Sequence, residues 1–394
     1  MSRYRLEPSR TQEEVLLRHC SDARYVWNLC VEQGSWWRCG RGRMPGFAER
    51  CRQLTEARAA SPWLAEGSVT VQQQAIRDHA HAMARFFAGT ARRPRWRKRG
   101  ENEGFRVIHV KASHVRRLNR SHGEVYVPKT GWVRFRWSRP VPGSAKSFRV
   151  TQDRAGRWHL AFAVIPEPVH GPGTGEAVGI DRGVKVTAAL STGKMLTIPR
   201  LSGREASRLL RLERKLARAR RGSTRRRKVK SQIARVRARE VDRRKDWIEQ
   251  ASTDIARRFD VIRVEDLNIK NMTRSARGTA AQPGKNVAAK AGLNREISRS
   301  GWGALVRRLE DKAPGRVQKV PPAYTSQRCS ACGHVARDNR ESHAVFLCTA
   351  CGYAANADVN AARNIAAGHA VKARGGDRDA GPVNREPQLD LLAS

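Results

Sequence analysis

The chain has 394 residues, 39% of them hydrophobic, enough for two or three domains with ordinary cores. Its 78 Lys and Arg against 36 Asp and Glu leave a net charge of +42, an excess that calls for a polyanionic partner and makes nucleic acid the expected one. The length excludes a small ribosomal-type protein; with no apolar run of spanning length and no signal sequence, the expectation is a cytoplasmic protein.

The opening "SRYRLEPSRTQEEVLLRHCSDARYVWNLCVEQ" predicts a short strand and then a helix. Thr11 is its expected N-cap, with Glu14 three residues on as a capping box. After Pro and Gly signals near 62–67, "SVTVQQQAIRDHAHAMARFFAG" predicts a second helix, packed through Val71, Ile76, Ala80, Met83 and Phe86–Phe87. The basic, aromatic-interleaved "ARRPRWRKRG" (91–100) ends this helical region.

From about 104 to 166 the apolar period switches to two, with turn signals at Lys129–Gly131, Pro140–Gly143 and Asp153–Gly156. That pattern predicts a small β-barrel or curled sheet. "PEPVHGPGTG" is a linker and a candidate domain boundary. "AVGIDRGVKVTAALSTG" then reads as a β-hairpin. Two long basic helices follow, interrupted at Gly222–Thr224, with Leu209, Leu212 and Leu216 on one apolar face and Ile233, Val236 and Val241 on another. A charged helix face is commonly just solvated, but a positive excess this one-sided is better matched by phosphates. Arg225, Arg226, Arg227 and Lys228 are the nucleic-acid-contact candidates there. "DVIRVEDL" predicts a strand; the small-residue-rich segment 273–299 is expected to be mobile and to gate whatever site lies beside it. A helix around "WGALVRRLEDKA" and a strand "GRVQKVPP" complete the order, and the tail beyond about 372 is expected to be disordered.

Eight cysteines fall into two groups. Cys20, Cys30, Cys39 and Cys51 are irregularly spaced and read as free, mostly buried thiols. Cys329, Cys332, Cys348 and Cys351 form C-x2-C-x15-C-x2-C, the spacing of a four-thiolate zinc site, and a Gly follows the second Cys of each pair, where a knuckle needs a tight turn. Four thiolates leave no open position for water, so this Zn2+ would be structural.

Three acids sit where a fold could gather them. Asp181 lies in the strand "VGIDRG", Glu265 ends "VIRVED", and Asp358 opens the helix "DVNAARNIAA". Each has a plain structural alternative: a turn acid, a strand-end charge, a helix N-cap. In the order strand, strand, helix they suggest the acidic cluster of an RNase H-like fold, of the kind that cleaves phosphodiesters with two divalent cations. Asp266 competes with Glu265; strand alternation favours Glu265, which shares a face with Arg263 while Ile262 and Val264 share the other.

Taken together, these motifs resemble the TnpB family of transposon-encoded RNA-guided DNA endonucleases, relatives of the type V CRISPR effectors. "GIDRGV", "VIRVEDLNIKNM" and "ADVNAARNIA" look like the family's three RuvC motifs, and "AYTSQRCSACGH" with "FLCTACGY" like its zinc ribbon, inserted just before the third. The resemblance selects Glu265 over Asp266 and implies that Asp181, Glu265 and Asp358 are catalytic and hold Mg2+. It implies a multidomain α+β protein: a wedge β-barrel domain (1–10 and 93–170), a helical recognition lobe (11–92), a RuvC nuclease domain (171–324 and 353–372) carrying the basic helical hairpin 204–247, the zinc ribbon (325–352) and a disordered tail (373–394). It further implies a guide RNA and double-stranded target DNA as partners. Gln73, Gln74 and Arg77 would read the motif beside the target, and Trp96, Arg97 and Lys98 would contact RNA. The "DRG" of the first motif departs from relatives with an apolar residue after the Asp; Arg182 is given no role at the metal. The alternatives are a miniature type V CRISPR effector of the same chemistry and a non-cleaving RNA-guided DNA-binding regulator, with a strand-joining transposase as a third.

Overall fold

The computed structural model describes residues 2–36, 44–143, 145–342 and 344–368. Cys39 and the tail from 369 lie outside them. The chain divides into two compact units, Met1–Glu167 with Arg200–Asp242, and Pro168–Pro199 with the described chain from Arg243 onward.

The first unit begins with β1 (Ser2–Arg5) and the helices α1 (Arg10–Trp36), α2 (Phe47–Ala60), α3 (Pro62–Ala65) and α4 (Val69–Phe87). The start of α1 differs from expectation. Ser9 forms the capping box, its hydroxyl accepting from the Gln12 amide while the Gln12 side chain accepts from the Ser9 amide. Thr11 and Glu14 lie inside the helix, where Glu14 pairs with Arg10. On α4, Val71, Ile76 and Met83 are buried as expected, but Phe87 at its end is exposed.

Six strands follow: β2 (Gly104–Ile108), β3 (Val115–Arg117), β4 (His122–Val127), β5 (Gly131–Arg136), β6 (Ser147–Gln152) and β7 (Trp158–Phe162). They build a four-stranded sheet, β1-β7-β6-β2, and a three-stranded one, β3-β4-β5. The chain leaving β1 links them, since Leu6 bridges Phe135. Strict alternation sets the faces: Val133 and Phe135 point inward while Arg134 and Arg136 point out. One core joins helices and sheets, with Leu16, Val26 and Ile76 packed in the same cluster as Phe148 and Leu160. The basic hairpin is α5 (Gly203–Arg218) and α6 (Thr224–Arg258), zipped by Leu209, Leu212, Val229, Ile233 and Val236.

Three buried histidines give this unit a pH limit: burial lowers His19, His79 and His159 alike. Burial, with Arg50 and Arg97 nearby, lowers His79 to about 4. Burial likewise lowers His159 to about 4 against the pull of Asp153. A histidine depressed in the folded state stabilises above its unfolded value near 6.5 and loses that contribution as pH falls toward 4. Thermal melts between pH 7.5 and 4.5 should therefore show a loss on the order of 2 kcal/mol for each of His79 and His159; a flat profile would refute it.

The second unit holds a five-stranded sheet made of β8 (Ala177–Asp181), β9 (Ala188–Leu190), β10 (Met195–Leu196), β11 (Val261–Glu265) and β12 (Val317–Val320). Its order is β10-β9-β8-β11-β12. The β8–β9 and β9–β10 pairs are antiparallel; β8–β11 and β11–β12 are parallel. This is the strand arrangement of RNase H-like folds. Strand β10 had no signal beyond the hairpin pattern, being two residues long. Val178, Ile180, Ile262 and Val264 pack beneath the sheet with Ile255 and Leu309.

The second half of the segment expected to be mobile is helical. After α7 (Ile269–Met272) comes α8 (Val287–Ser300), tied back by Lys290 to the Met272 carbonyl at 2.8 Å and by Asn294 to that of Thr273 at 3.0 Å. The small residues there serve helix propensity and turn-making as well as they would mobility. Helix α9 (Trp302–Lys312), the hairpin of β13 (Val345–Leu347) with β14 (Ala354–Asn356), and α10 (Ala357–Ala367) close the order.

Candidate active site and zinc ribbon

Strands β8 and β11 are neighbours at the centre of the sheet, so Asp181 and Glu265 end adjacent parallel strands. Residues alternating with the buried Ile180 and Val264 face α10. Gly179 lies directly against that helix: a β-carbon there would sit 2.0 Å from the Ala362 carbonyl oxygen and 2.3 Å from the Ala366 amide. Arg263, on the same face, donates to the Ala366 carbonyl. The small side chains of "NAARNIAA" allow this approach, and Asp358 in the first turn of α10 is near enough for its charge to act on Asp181.

The three carboxylates share a field. Burial first, then the charges of Glu265 and Asp358, push Asp181 up to about 8, partly offset by Arg340. Arg340, from the loop between the two Cys pairs, pairs with Asp358 at 3.6 Å. Glu265 is buried, and its Oε1 accepts from the Thr325 hydroxyl at 2.6 Å. Asp266 is exposed, its amide donating to the Val320 carbonyl at 2.8 Å. Asp358 is not the helix cap. Asn356 takes that role, accepting from the amides of Asp358 at 3.0 Å and Val359 at 3.2 Å.

Arg182, given no role from sequence, is buried beneath this cluster and donates to the Glu265 carbonyl. Burial lowers its pKa, while Glu265, Asp181 and Asp266 favour its charge. A buried Asp181 whose proton affinity is raised by burial and by the charges of Glu265 and Asp358 would gain from a hard cation, and oxygen donors suit Mg2+.

The thiol sulfurs of Cys329, Cys332, Cys348 and Cys351 lie within 4.8 Å of one another, the one group of three or more metal-ligating side chains so close among the described residues. The two knuckles repeat one geometry. The Cys329 amide donates to the His334 carbonyl and the Gly333 amide to that of Cys329; Cys348 pairs likewise with Tyr353, and Gly352 with Cys348. Gly333 and Gly352 have φ of 78° and 70°, the left-handed conformation such turns require. This donor set fits a closed tetrahedral zinc site.

The ribbon is riveted to α10. The Asn360 oxygen accepts from the Ser330 amide at 2.9 Å and its NH2 donates to the Arg328 carbonyl at 2.8 Å. Asn364 donates to the carbonyls of Thr325 and Arg328 at 2.9 and 2.7 Å. Thr325 therefore sits between the third acid's helix and the second acid.

The other sequence candidates lie in the first unit. Gln73 is half-buried on α4. Gln74 is buried and its amide oxygen accepts from Arg106 at 2.8 Å, so it is committed to the fold rather than presented to DNA. Arg77 lies 4.1 Å over the Phe47 ring. Arg97 is turned inward over Trp27, whereas Trp96 and Lys98 are exposed. Arg226 is half-buried and donates to the Leu216 and Ala219 carbonyls, closing the end of α5; Arg225, Arg227 and Lys228 are exposed.

Sequence reasoning missed Gly179, Arg182, Thr325 and Arg340. A glycine inside an otherwise apolar strand was a legible sign of close backbone approach; the other three carry no pattern of their own.

An RNase H-like sheet with acids on its two central strands and on the closing helix, interrupted by a four-cysteine ribbon, defines a nuclease of the RuvC kind. Comparison with known proteins agrees. Residues 161–276, which contain Asp181 and Glu265, match the OrfB_IS605 model, described as "Probable transposase", and residues 302–365 match the Cas12f1-like TNB domain. The chain is 37% identical to InsQ of Escherichia coli, named as an RNA-guided DNA endonuclease, over 100% of its own length and 98% of that protein. It is 32% identical to a Streptomyces pristinaespiralis protein also named as an RNA-guided DNA endonuclease, over 95% of this chain and 90% of the other. The solved structure of a Cas12f1–sgRNA–target DNA complex shares the fold, with a TM-score of 0.55 at 15% identity, covering 91% of this chain and 83% of that one. The chain belongs to the TnpB family of RNA-guided DNA endonucleases. Among the described residues, no helix is long and apolar enough to cross a membrane.

Proposed function

We propose that the protein is an RNA-guided DNA endonuclease that cuts target DNA at one RuvC site built by Asp181, Glu265 and Asp358. The observation carrying this reading is the placement of Asp181 and Glu265 at the ends of paired parallel strands, with the helix of Asp358 packed against the first of them at Gly179; the raised proton affinity of Asp181 supports it. They would hold Mg2+, which when bound supplies an activated water and stabilises the leaving oxygen. Asp181 and Glu265 are fixed by paired strands and Asp358 by the Gly179 contact, so the carboxylates need little rearrangement. Thr325 holds one oxygen of Glu265 in place. Arg340 supplies positive charge at Asp358 and, being a side chain from a loop, can turn toward a phosphate instead. The four cysteines would hold structural Zn2+.

Guide RNA and duplex DNA are the partners, and the charge of +42 suits a protein that carries RNA permanently. Within this reading the strands of 93–170 with residues 1–10 form the wedge domain, and the helices of 11–92 the recognition lobe. Residues 171–324 and 353–372 form the nuclease domain, with the hairpin 204–247 on the RNA.

The test is to sequence RNA that co-purifies with the protein, then assay Mg2+-dependent cleavage of a matching plasmid library by wild type and Asp181→Ala. A discrete RNA with cleavage lost in Asp181→Ala is expected. Guided binding by the wild type without cutting would make it a regulator; no discrete RNA would sink the guided reading altogether.

Thr325→Val probes the support of Glu265 with almost no change of shape. A buried carboxylate oxygen loses its donor, and comparable losses around metal sites cost about 10- to 100-fold in activity or metal affinity. A Mg2+ titration of the cleavage rate should shift by that amount; an unchanged curve would refute the role.

A further inference from the structure

The basic stretch after α4 is an extended strap pinned along α1. Asn28 grips both backbone groups of Arg97: its NH2 donates to the Arg97 carbonyl at 3.1 Å and its oxygen accepts from the Arg97 amide at 2.8 Å. The Trp27 indole donates to the Arg95 carbonyl at 2.8 Å. Arg93 reaches the Gly34 carbonyl at 2.5 Å, and the Arg97 guanidinium covers the Trp27 ring at 3.8 Å. Arg97 is turned inward, whereas Trp96 is 55% exposed, with exposed Arg95 before it and exposed Lys98 just beyond Arg97.

An exposed indole between cations, on a backbone already fixed, is costly to keep in water and suited to a flat, anionic ligand. Aromatic faces bind unpaired bases by stacking while flanking cations take the phosphates. Duplex DNA keeps its bases stacked inside, whereas RNA loops and single strands splay theirs out. RNA is also the polyanion present before any target is met. Because the strap is held by four hydrogen bonds and the stacking of Arg97 on Trp27, its ordering cost falls on folding rather than on binding.

We propose that residues 92–99 form a preformed platform for an unpaired segment of the guide RNA, with one base stacked on Trp96 and the adjacent phosphates on Arg95 and Lys98. Arg97 is the anchor of this platform and makes no RNA contact itself. The proposal rests on the RNA-guided reading but is independent of the cutting chemistry.

The experiment measures binding of the full chain, carrying Asp181→Ala to exclude cleavage, to an oligouridylate of about 12 nucleotides and to its deoxy counterpart across a salt series. Trp96→Ala should weaken RNA binding about tenfold, with Trp96→Phe close to wild type and no change in the slope of log affinity against log salt. Lys98→Ala should flatten that slope by about 0.7. Since Trp96 lies outside the core, the melting temperature should not move. Unchanged affinity in Trp96→Ala, or a loss that Phe does not rescue, would overturn the platform. Equal effects of Trp96→Ala on RNA and DNA would overturn its assignment to RNA. If no discrete RNA co-purified but Trp96→Ala still weakened oligouridylate binding, the guided reading would fail and the platform stand.

Discussion

Alanine at Gly179 should abolish most cleavage while leaving every carboxylate and cysteine in the sequence. The added methyl would meet the Ala362 carbonyl at 2.0 Å and the Ala366 amide at 2.3 Å. Both obstacles are backbone, so no rotamer change relieves them, and α10 must shift by about 1 Å or more with an overpacking cost of about 1–3 kcal/mol. Asp358 rides on the first turn of that helix and moves with it. A displacement of about 1 Å at a reacting centre can cost on the order of a hundredfold in rate. The control is Gly203→Ala, where no atom lies within 4 Å and φ is ordinary. Cleavage rates and melting temperatures of both variants decide the matter: Gly179→Ala cutting at the wild-type rate would mean that α10 does not set the position of Asp358.

The second large effect is expected from Cys329→Ser. Cys329 is buried and belongs to the first knuckle. Structural Zn2+ sites of four thiolates contribute about 10–16 kcal/mol to folding of the segment that holds them. Loss of the metal would unfold more than a peripheral ribbon, because Asn360 and Asn364 bind its backbone to α10 and Thr325 binds Glu265. Metal analysis should show zinc lost from the variant, limited proteolysis should cut within 325–352, and cleavage should fall by about a hundredfold or more. Retained RNA would show that the first unit is intact. A zinc-free Cys329→Ser that cuts normally would refute the coupling.

What could be seen in the sequence follows from how local its cause was. The strands, the basic hairpin and the cysteine knuckles rest on periodicity and spacing within a few residues. Asp181, Glu265 and Asp358 were nameable because each sits in a short motif with a defined place in strand or helix. The functions of individual polar residues were not legible in the same way. "VQQQAIR" does not say that Gln74 is turned onto Arg106 while Gln73 stays half-buried, since helical phase leaves several polar faces open. In "RWRKR" the alternation of an extended chain separates Trp96 from Arg97, but which of them turns inward depends on Trp27 and Asn28, far away in the sequence. Thr325, Arg182 and Arg340 take their roles from neighbours that only the folded chain supplies.

The placement of α10 has a consequence for how the protein is made. The helix that completes the acidic site is the final element of the described fold, and it rests on β8, one of the earliest parts of the second unit. A ribosome working at ordinary speed releases Asp181 on the order of ten seconds before Asp358. During that interval residues up to Glu167, with the α1–α4 core and the strap proposed to bind RNA, are already synthesised, while Arg200–Asp242 of the same unit and the third acid are still to come. The nascent chain is thus an RNA binder before it is a nuclease, and its cutting edge is fitted last.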